Sequence, residues 1–280
     1  MYTIVKKRGL ADQITEYVVQ APVVAGAAQA GQFAVIRLHE RGERIPLTLA
    51  DWDAQAGTIT LVVQAVGKTT VELEERFHEG DALADVVGPL GEPSEIEEYG
   101  TVVCVAGGVG IAPIHPVARA LKGAGNEVIC IAGARNRGLL FWLDRLSDVC
   151  DDLIITTDDG SHGRKGLVTE PLKELVEGGG VARVWAIGPA IMMKFCSLVC
   201  QAAGVPIVVS LNPIMVDGTG MCGACRVEVD GVVRFACVDG PEFRGDRVNW
   251  DLLIARLAAF KEEERCALEQ FRAALKEARE

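Results

Sequence analysis

The chain has 280 residues, 49% of them hydrophobic, 24% charged and 5% aromatic, with 39 acidic against 28 basic side chains and a net charge of −11. That length suits two domains and a small extra module, and the apolar fraction weighs against wholesale disorder. An acidic, aromatic-poor chain lacks the basic face of a nucleic-acid binder. The opening MYTIVKKRGLADQ contains no apolar run of signal-peptide length, and the longest apolar stretch, Thr101 to Ile114, is too short for a membrane span. The expected location is the cytoplasm, where thiols stay reduced, so nine cysteines invite a chemical explanation.

Residues 1–98 read as short strands between turns: Tyr2–Lys6, Thr15–Val19, Gln32–Arg37, Thr58–Gln64 and Asp81–Val87. One helix is expected over Val71–His78, with Thr69 and Thr70 as candidate caps. Strands at this spacing predict an antiparallel β-barrel. From residue 99 the character changes. Five apolar runs, Thr101–Ala106, Glu127–Gly133, Asp152–Thr157, Ala182–Ile187 and Pro206–Leu211, lack the alternation of a half-exposed strand. They predict a five-stranded parallel sheet buried on both faces over residues 99–212, with helices such as Pro116–Lys122 and Pro171–Val176 between strands. A Gly- and Cys-rich module follows over 213–249. Residues 250–280 then read as a C-terminal packing helix with Leu268, Phe271 and Leu275 on one face.

Gly107-Gly108-Val109-Gly110-Ile111-Ala112-Pro113 lies between an apolar strand and a helix, where a glycine turn lets backbone N–H groups approach a pyrophosphate. Pro113 takes the third glycine position of the usual fingerprint, and a tight strand–helix turn is the plainer alternative. Gly188-Pro189-Ala190-Ile191-Met192-Met193 forms a second turn at a strand's carboxyl end, the edge along which open α/β sheets bind ligands. Arg135 and Arg137 follow the second apolar run and lean towards a 2′-phosphate. In the first region, Arg44-Ile45-Pro46-Leu47-Thr48 and Gln64 to Thr70 are candidate flavin contacts. The Thr48 hydroxyl could meet an isoalloxazine edge, and the Gly67–Thr70 turn could seat phosphates.

Asp217-Gly-Thr-Gly-Met-Cys222-Gly-Ala-Cys225, then eleven residues to Cys237, reproduces the C-x4-C-x2-C spacing of plant-type [2Fe–2S] loops with Asp217 in the first position. Arg226 to Arg234 reads as a hairpin turning at Asp230-Gly231, which would return Cys237 to the loop. A zinc site is the weaker alternative, because His39, His78, His115 and His162 all lie far away in sequence. A redox CxxC pair and buried structural thiols, with Asp217 a turn residue, are the others.

Together these segments resemble the ferredoxin–NADP reductase superfamily, and the cysteine module narrows the resemblance to electron-transfer subunits related to that of dihydroorotate dehydrogenase. Within that group, IPLT, AGGVGIAP, TDDGS and SLNPIMVDGTGMCGACRV are similar to the small (alpha) subunits of electron-bifurcating NADH-dependent reduced ferredoxin:NADP oxidoreductases. The resemblance covers about residues 1–250. It implies FAD in the barrel, NAD(H) on the second domain, and a [2Fe–2S] cluster on Asp217, Cys222, Cys225 and Cys237. Asp217 stands where the dihydroorotate dehydrogenase and sulfhydrogenase relatives usually carry Cys.

Against the superfamily's Arg-x-Tyr-Ser/Thr, Ile45 takes the Arg position, Leu47 the Tyr position and Thr48 the hydroxyl, with Arg44 one residue early. Val63, Gln64, Ala65, Thr69 and Thr70 match the second flavin segment. Gly108, Gly110, Asp158, Asp159, Gly188 and Pro189 match the NAD(H) positions, which outweighs the lean towards NADP. A large flavoprotein subunit with FAD and [4Fe–4S] clusters is the implied partner, so that this chain relays electrons between that subunit and NAD(H), with ferredoxin and NADP(H) reached through the complex. No dedicated acid–base residue is expected. The alternatives are the electron-transfer subunit of dihydroorotate dehydrogenase or a sulfhydrogenase, and a zinc-containing module that senses NAD(H).

Overall fold

Two strand systems of opposite character organise the computed structural model, which describes residues 2–277. The first contains β1 (Tyr2–Ala11), β2 (Ile14–Gln20), α1 (Pro22–Ala27), β3 (Phe33–Arg37), β4 (Arg44–Thr48), β5 (Asp51–Asp53), β6 (Thr58–Gln64), α2 (Lys68–Arg76), β7 (Ala82–Leu83) and β8 (Asp85–Leu90). All its pairings are antiparallel, in two sheets ordered β5-β6-β2-β1-β7 and β4-β3-β8. The expected barrel is therefore hydrogen-bonded as two sheets, and the chain changes sheet at defined corners. Leu49 N–H donates to Gln32 on the β3 side, while Ala50 N–H donates to Thr60 on β6. Ala84 makes the second corner between β7 and β8, its N–H donating to the Arg37 carbonyl. Ile4, Tyr17, Ile36, Leu49, Ile59 and Leu61 fill the space between the sheets.

The second system contains β9 (Thr101–Gly107), α3 (Ile111–Gly123), β10 (Glu127–Ala134), α4 (Leu143–Ser147), β11 (Asp152–Thr157), β12 (Arg164–Lys165), α5 (Thr169–Gly178), β13 (Val181–Ile187), α6 (Ala190–Ala203) and β14 (Ile207–Ser210). Beyond it come β15 (Arg226–Val229), β16 (Val232–Phe235), β17 (Glu242–Arg244), α7 (Trp250–Leu257) and α8 (Lys261–Glu277). The sheet order is β12-β11-β10-β9-β13-β14-β17, seven strands where five parallel ones are expected. The five central strands are parallel; β12 adds a two-residue parallel edge, and β17 pairs antiparallel with β14. By covering the outer edge of β14, β17 fastens the cysteine module to the parallel sheet.

The hairpin forms as its Asp-Gly step demands. Asp230 (φ 56°) and Gly231 (φ 73°) are both left-handed, and Arg226 faces Phe235 across the pair. The tail is two helices rather than one. Asn249 caps α7 by accepting from Leu252 N–H at 3.1 Å, and α8 lays Leu268, Phe271 and Leu275 on Ala65 and Val71 of the first region. The last three residues of the predicted tail, 278–280, lie outside the described residues. No described helix is long and apolar enough to cross a membrane.

Candidate functional site

A cavity of about 940 Å³ opens between the two strand systems, within the usual size range of ligand pockets. Pro46, Leu47 and Thr48 of β4 and Val63 and Gln64 of β6 supply one wall, together with Thr70 at the start of α2. Gly107, Gly108, Gly110 and Pro113 supply the facing wall, joined by Arg135, Asp158, Gly188 and Pro189 from neighbouring strand ends. These are the carboxyl ends of β9, β10, β11 and β13, so the parallel sheet presents one edge to the opening.

The glycine turn has a steric reason. Gly108 sits at φ +57°, and a Cβ on Gly110 would overlap the Ile187 carbonyl oxygen. The turn can therefore bring α3 against β13 only without a side chain there. Its residues Gly108–Gly110 make one 3-10 turn that runs directly into α3, aiming the helix N-terminus at the cavity.

Five expected contacts stand outside the cavity lining: Arg44, Ala65, Gly67, Thr69 and Asp159. Arg44 is exposed. Ala65 packs beneath α8 with Phe271. Thr69 is buried, its hydroxyl donating to the Glu43 carboxylate. Thr70 is occupied locally, its Oγ1 accepting from Val66 N–H at 3.1 Å and Gly67 N–H at 3.0 Å, which makes it a cap for α2 rather than a free phosphate donor. Asp159 is held below the ordinary carboxylate range by Ser161, whose hydroxyl and N–H donate to Oδ1 at 2.6 and 2.9 Å.

The cysteine loop is built differently. Gly218, Gly220 and Gly223 all take positive φ, so the chain coils tightly. Asp217 accepts from Thr219 N–H at 2.9 Å and Cys222 N–H at 3.0 Å, and those donors hold its carboxyl low. The hairpin returns Cys237 to Cys225: the two buried sulfurs stand 3.2 Å apart, and Ala236 N–H donates to the Cys225 carbonyl. Burial, followed by the neighbouring Cys225 sulfur, pushes the Cys237 thiol up to about 12. Cys222 is exposed.

Three thiols and one carboxylate on a single loop and hairpin are a chemically suitable donor set for iron, and the paired sulfurs are already together. Among the described residues, however, no three His, Cys, Asp or Glu side chains converge as a metal site.

Residues 212–249 match the iron–sulfur cluster binding domain of dihydroorotate dehydrogenase B. A dihydroorotate dehydrogenase B (NAD(+)) electron transfer subunit homolog from Thermotoga maritima is 54% identical over 268 residues, 96% of this chain and 94% of that one. The chain belongs to this electron transfer subunit family. A more distant member from Geobacillus thermodenitrificans is 31% identical over 255 residues, 88% of this chain and 96% of its own. A solved structure, described as giving insights into flavin-based electron bifurcation via the NADH-dependent reduced ferredoxin-NADP oxidoreductase, superposes with a TM-score of 0.91. It is 53% identical and the match covers 97% of this chain and 98% of that one. Phthalate dioxygenase reductase, 20% identical with a TM-score of 0.60, shares the fold.

In this member of the electron transfer subunit family, the cavity also has walls outside the expected flavin and nucleotide contacts. Ser210 at the end of β14 lines it together with Leu211, Asn212 and Met215, all within the SLNPIMVDGTGMCGACRV segment, as does Pro241 inside the cysteine module. Ile191, Met192 and Phe195 line it from α6, and Ile191 and Phe195 are exposed. Ile191 and Met192 fall within the expected second turn segment, whereas Phe195 lies just beyond it. Next to Pro241, Glu242 accepts from Ser94 Oγ–H at 2.7 Å, and burial pushes its carboxyl up to about 7.

Proposed function

We propose that this chain is the FAD- and [2Fe–2S]-carrying electron-transfer subunit of a flavin-based bifurcating oxidoreductase, relaying electrons between NAD(H) and a larger partner subunit. The observation that carries this reading is the shared cavity, whose facing walls are the Pro46–Thr48 strand and the Gly107–Gly110 turn. The family relationship and the near-complete match to a bifurcating oxidoreductase structure support it. Residues 1–98 would form the flavin unit, 99–212 the nucleotide unit, 213–249 the cluster module and 250–280 a packing tail. The implied partner carries FAD and [4Fe–4S] clusters and connects to ferredoxin and NADP(H), and the complex would be cytoplasmic.

When bound, FAD links two-electron hydride exchange to single-electron transfer, and a [2Fe–2S] cluster carries electrons singly. The chain's own residues bind and orient. Pro46, Leu47 and Val63 give the flavin ring an apolar surface, with Thr48 and Gln64 as polar edges. Thr70 completes that wall while capping α2, and Arg44, Ala65, Gly67 and Thr69 shape the rest of the flavin segment from behind it. Gly107, Gly108, Gly110 and Pro113 present backbone to the dinucleotide pyrophosphate, with Gly188 and Pro189 closing over it. Asp158, with Asp159 next to it, suits a ribose 2′-OH and repels a 2′-phosphate, which favours NAD(H) even with Arg135 close by. Asp217, Cys222, Cys225 and Cys237 would hold the cluster, with one hard oxygen ligand among three thiolates.

The test is anaerobic purification with the partner, counting iron, sulfide and flavin, and recording optical and EPR spectra. Two irons and one FAD per chain, with a paramagnetic signal on reduction by NADH, are expected. Zinc, or absence of flavin, would sink the reading.

A further inference from the structure

Away from the cavity, charged side chains gather along the seam between the two strand systems. Asp51 opens β5 one residue beyond Ala50, which lines the cavity. Its carboxylate meets Arg119 Nη1 of α3 at 2.8 Å and Arg145 Nη1 of α4 at 3.8 Å. Glu16 on β2 is only 1% exposed. Its carboxylate meets Arg8 Nη2 at 3.0 Å, Arg145 Nη2 at 3.7 Å and Lys6 Nζ at 4.0 Å. Arg145 thus joins both carboxylates of the first region from the second.

Aromatic faces hold the guanidinium groups in place. Arg145 lies 4.3 Å from the Trp142 ring centroid, and Arg119 lies 5.3 Å from that of Trp52 on the opposite side of the seam. The buried His115 ring packs edge-on against Trp142 at 5.6 Å. A buried carboxylate is held only while its partners stay, so this arrangement resists sliding of one region past the other.

Both ends of the network lead to cavity walls. β4 and β5 bracket Thr48 to Asp51, and α3 runs from the glycine turn through Ala112 and Pro113 to Arg119. At about 1.5 Å per residue, Arg119 sits roughly 12 Å along α3 from its start, past the internal Pro116. A shift at Arg119 therefore moves the nucleotide turn relative to β4.

We propose that Asp51, Glu16, Arg119 and Arg145 are positioning residues, an ionic strut that fixes the gap between the flavin wall and the nucleotide wall. The inference rests on the proposed function, in which hydride, two electrons and one proton together, crosses that gap between nicotinamide and flavin. Hydride transfer tolerates little misplacement, and a shift of about 1 Å can cost on the order of 100-fold in rate.

The experiment uses the assembled complex with Asp51→Asn and Arg119→Gln. The limiting rate of flavin reduction by NADH is expected to fall by roughly 10- to 100-fold. The NADH concentration at half-saturation, FAD content and iron content should stay at wild-type values. Hydrogen–deuterium exchange should quicken over residues 46–53 and 111–119, the double variant should fall no further than either single one, and Asp51→Glu should recover most of the rate. Unchanged rate and exchange in both single variants would overturn the strut, as would a rate loss explained by lost FAD or weakened NADH binding. If the wild-type complex holds no FAD or is not reduced by NADH, the functional reading fails, while the exchange measurement still decides whether the strut holds the two walls.

Discussion

The cavity and the cysteine loop are candidate sites of opposite construction. The cavity is framed by strand ends and a helix start, so Gly110, Thr48 and Asp158 owe their places to sheets that exist for other reasons. The cysteine loop belongs to no sheet until Arg226, and its polar groups satisfy one another: Asp217 binds its own backbone, and Cys225 sits against Cys237. Sites on regular elements are preorganised, whereas a loop of this kind gains its final geometry from what it binds. The two should therefore respond separately to mutation.

The largest expected effect comes from removing a thiol of the buried pair. If the proposed ligand set holds, Cys225→Ser or Cys237→Ser should abolish iron and sulfide incorporation, measured on anaerobically purified complex, because a hydroxyl would replace a thiolate. FAD content should be retained, since neither cysteine lines the cavity. Simultaneous loss of FAD would mean that the sites are not independent. Gly110→Ala tests the other side. The added methyl meets the Ile187 carbonyl, a backbone atom that cannot step aside. A stability loss of about 1–3 kcal/mol is expected, read by thermal unfolding, together with weaker NADH binding and normal iron content. Asp217→Cys is subtler: the cluster should form, with an altered EPR line shape and reduction potential. An unchanged spectrum would show that the carboxylate is not a ligand.

The same division explains what the sequence makes legible. Apolar runs without alternation locate the five central strands, and the Asp230-Gly231 step locates the hairpin. Elements fixed by tertiary context leave little trace. α6 (AIMMKFCSLVCQAA) is apolar along most of its length and so gives a poor periodic signal. β17 has three residues and exists because β14 offers an edge. The corners at Leu49–Ala50 and Ala84 depend on which sheet each amide finds. The site residues expected from motifs and from the family resemblance include fourteen cavity positions, Pro46 to Thr48 and Gly107, Gly108 and Gly110 among them. Phe195 and Pro241 carry no such signal: they line the cavity from α6 and from the residue before β17.

Glu242 lies where the two constructions meet, and it supplies the smallest effect and a pH signature. It follows Pro241 of the cavity wall, sits in the strand that ties the cysteine module to β14, and accepts from Ser94 Oγ–H at 2.7 Å. Burial raises its carboxyl from 4.5 to about 7, so the folded chain keeps a proton that the unfolded chain releases at lower pH. Its contribution to stability is therefore full below pH 4.5 and is lost as pH rises through about 7. Between these limits the loss is about 1–3 kcal/mol, the lower part of that range if solvent reaches the partly buried side chain. Glu242→Gln keeps an acceptor for Ser94 and removes the titration. Unfolding of the variant should be less dependent on pH between 5 and 8 than that of the wild type, with a higher midpoint at pH 8. Parallel profiles for the two proteins would show that the carboxyl is ionised with an ordinary affinity, and that β17 is held by its backbone pairing alone.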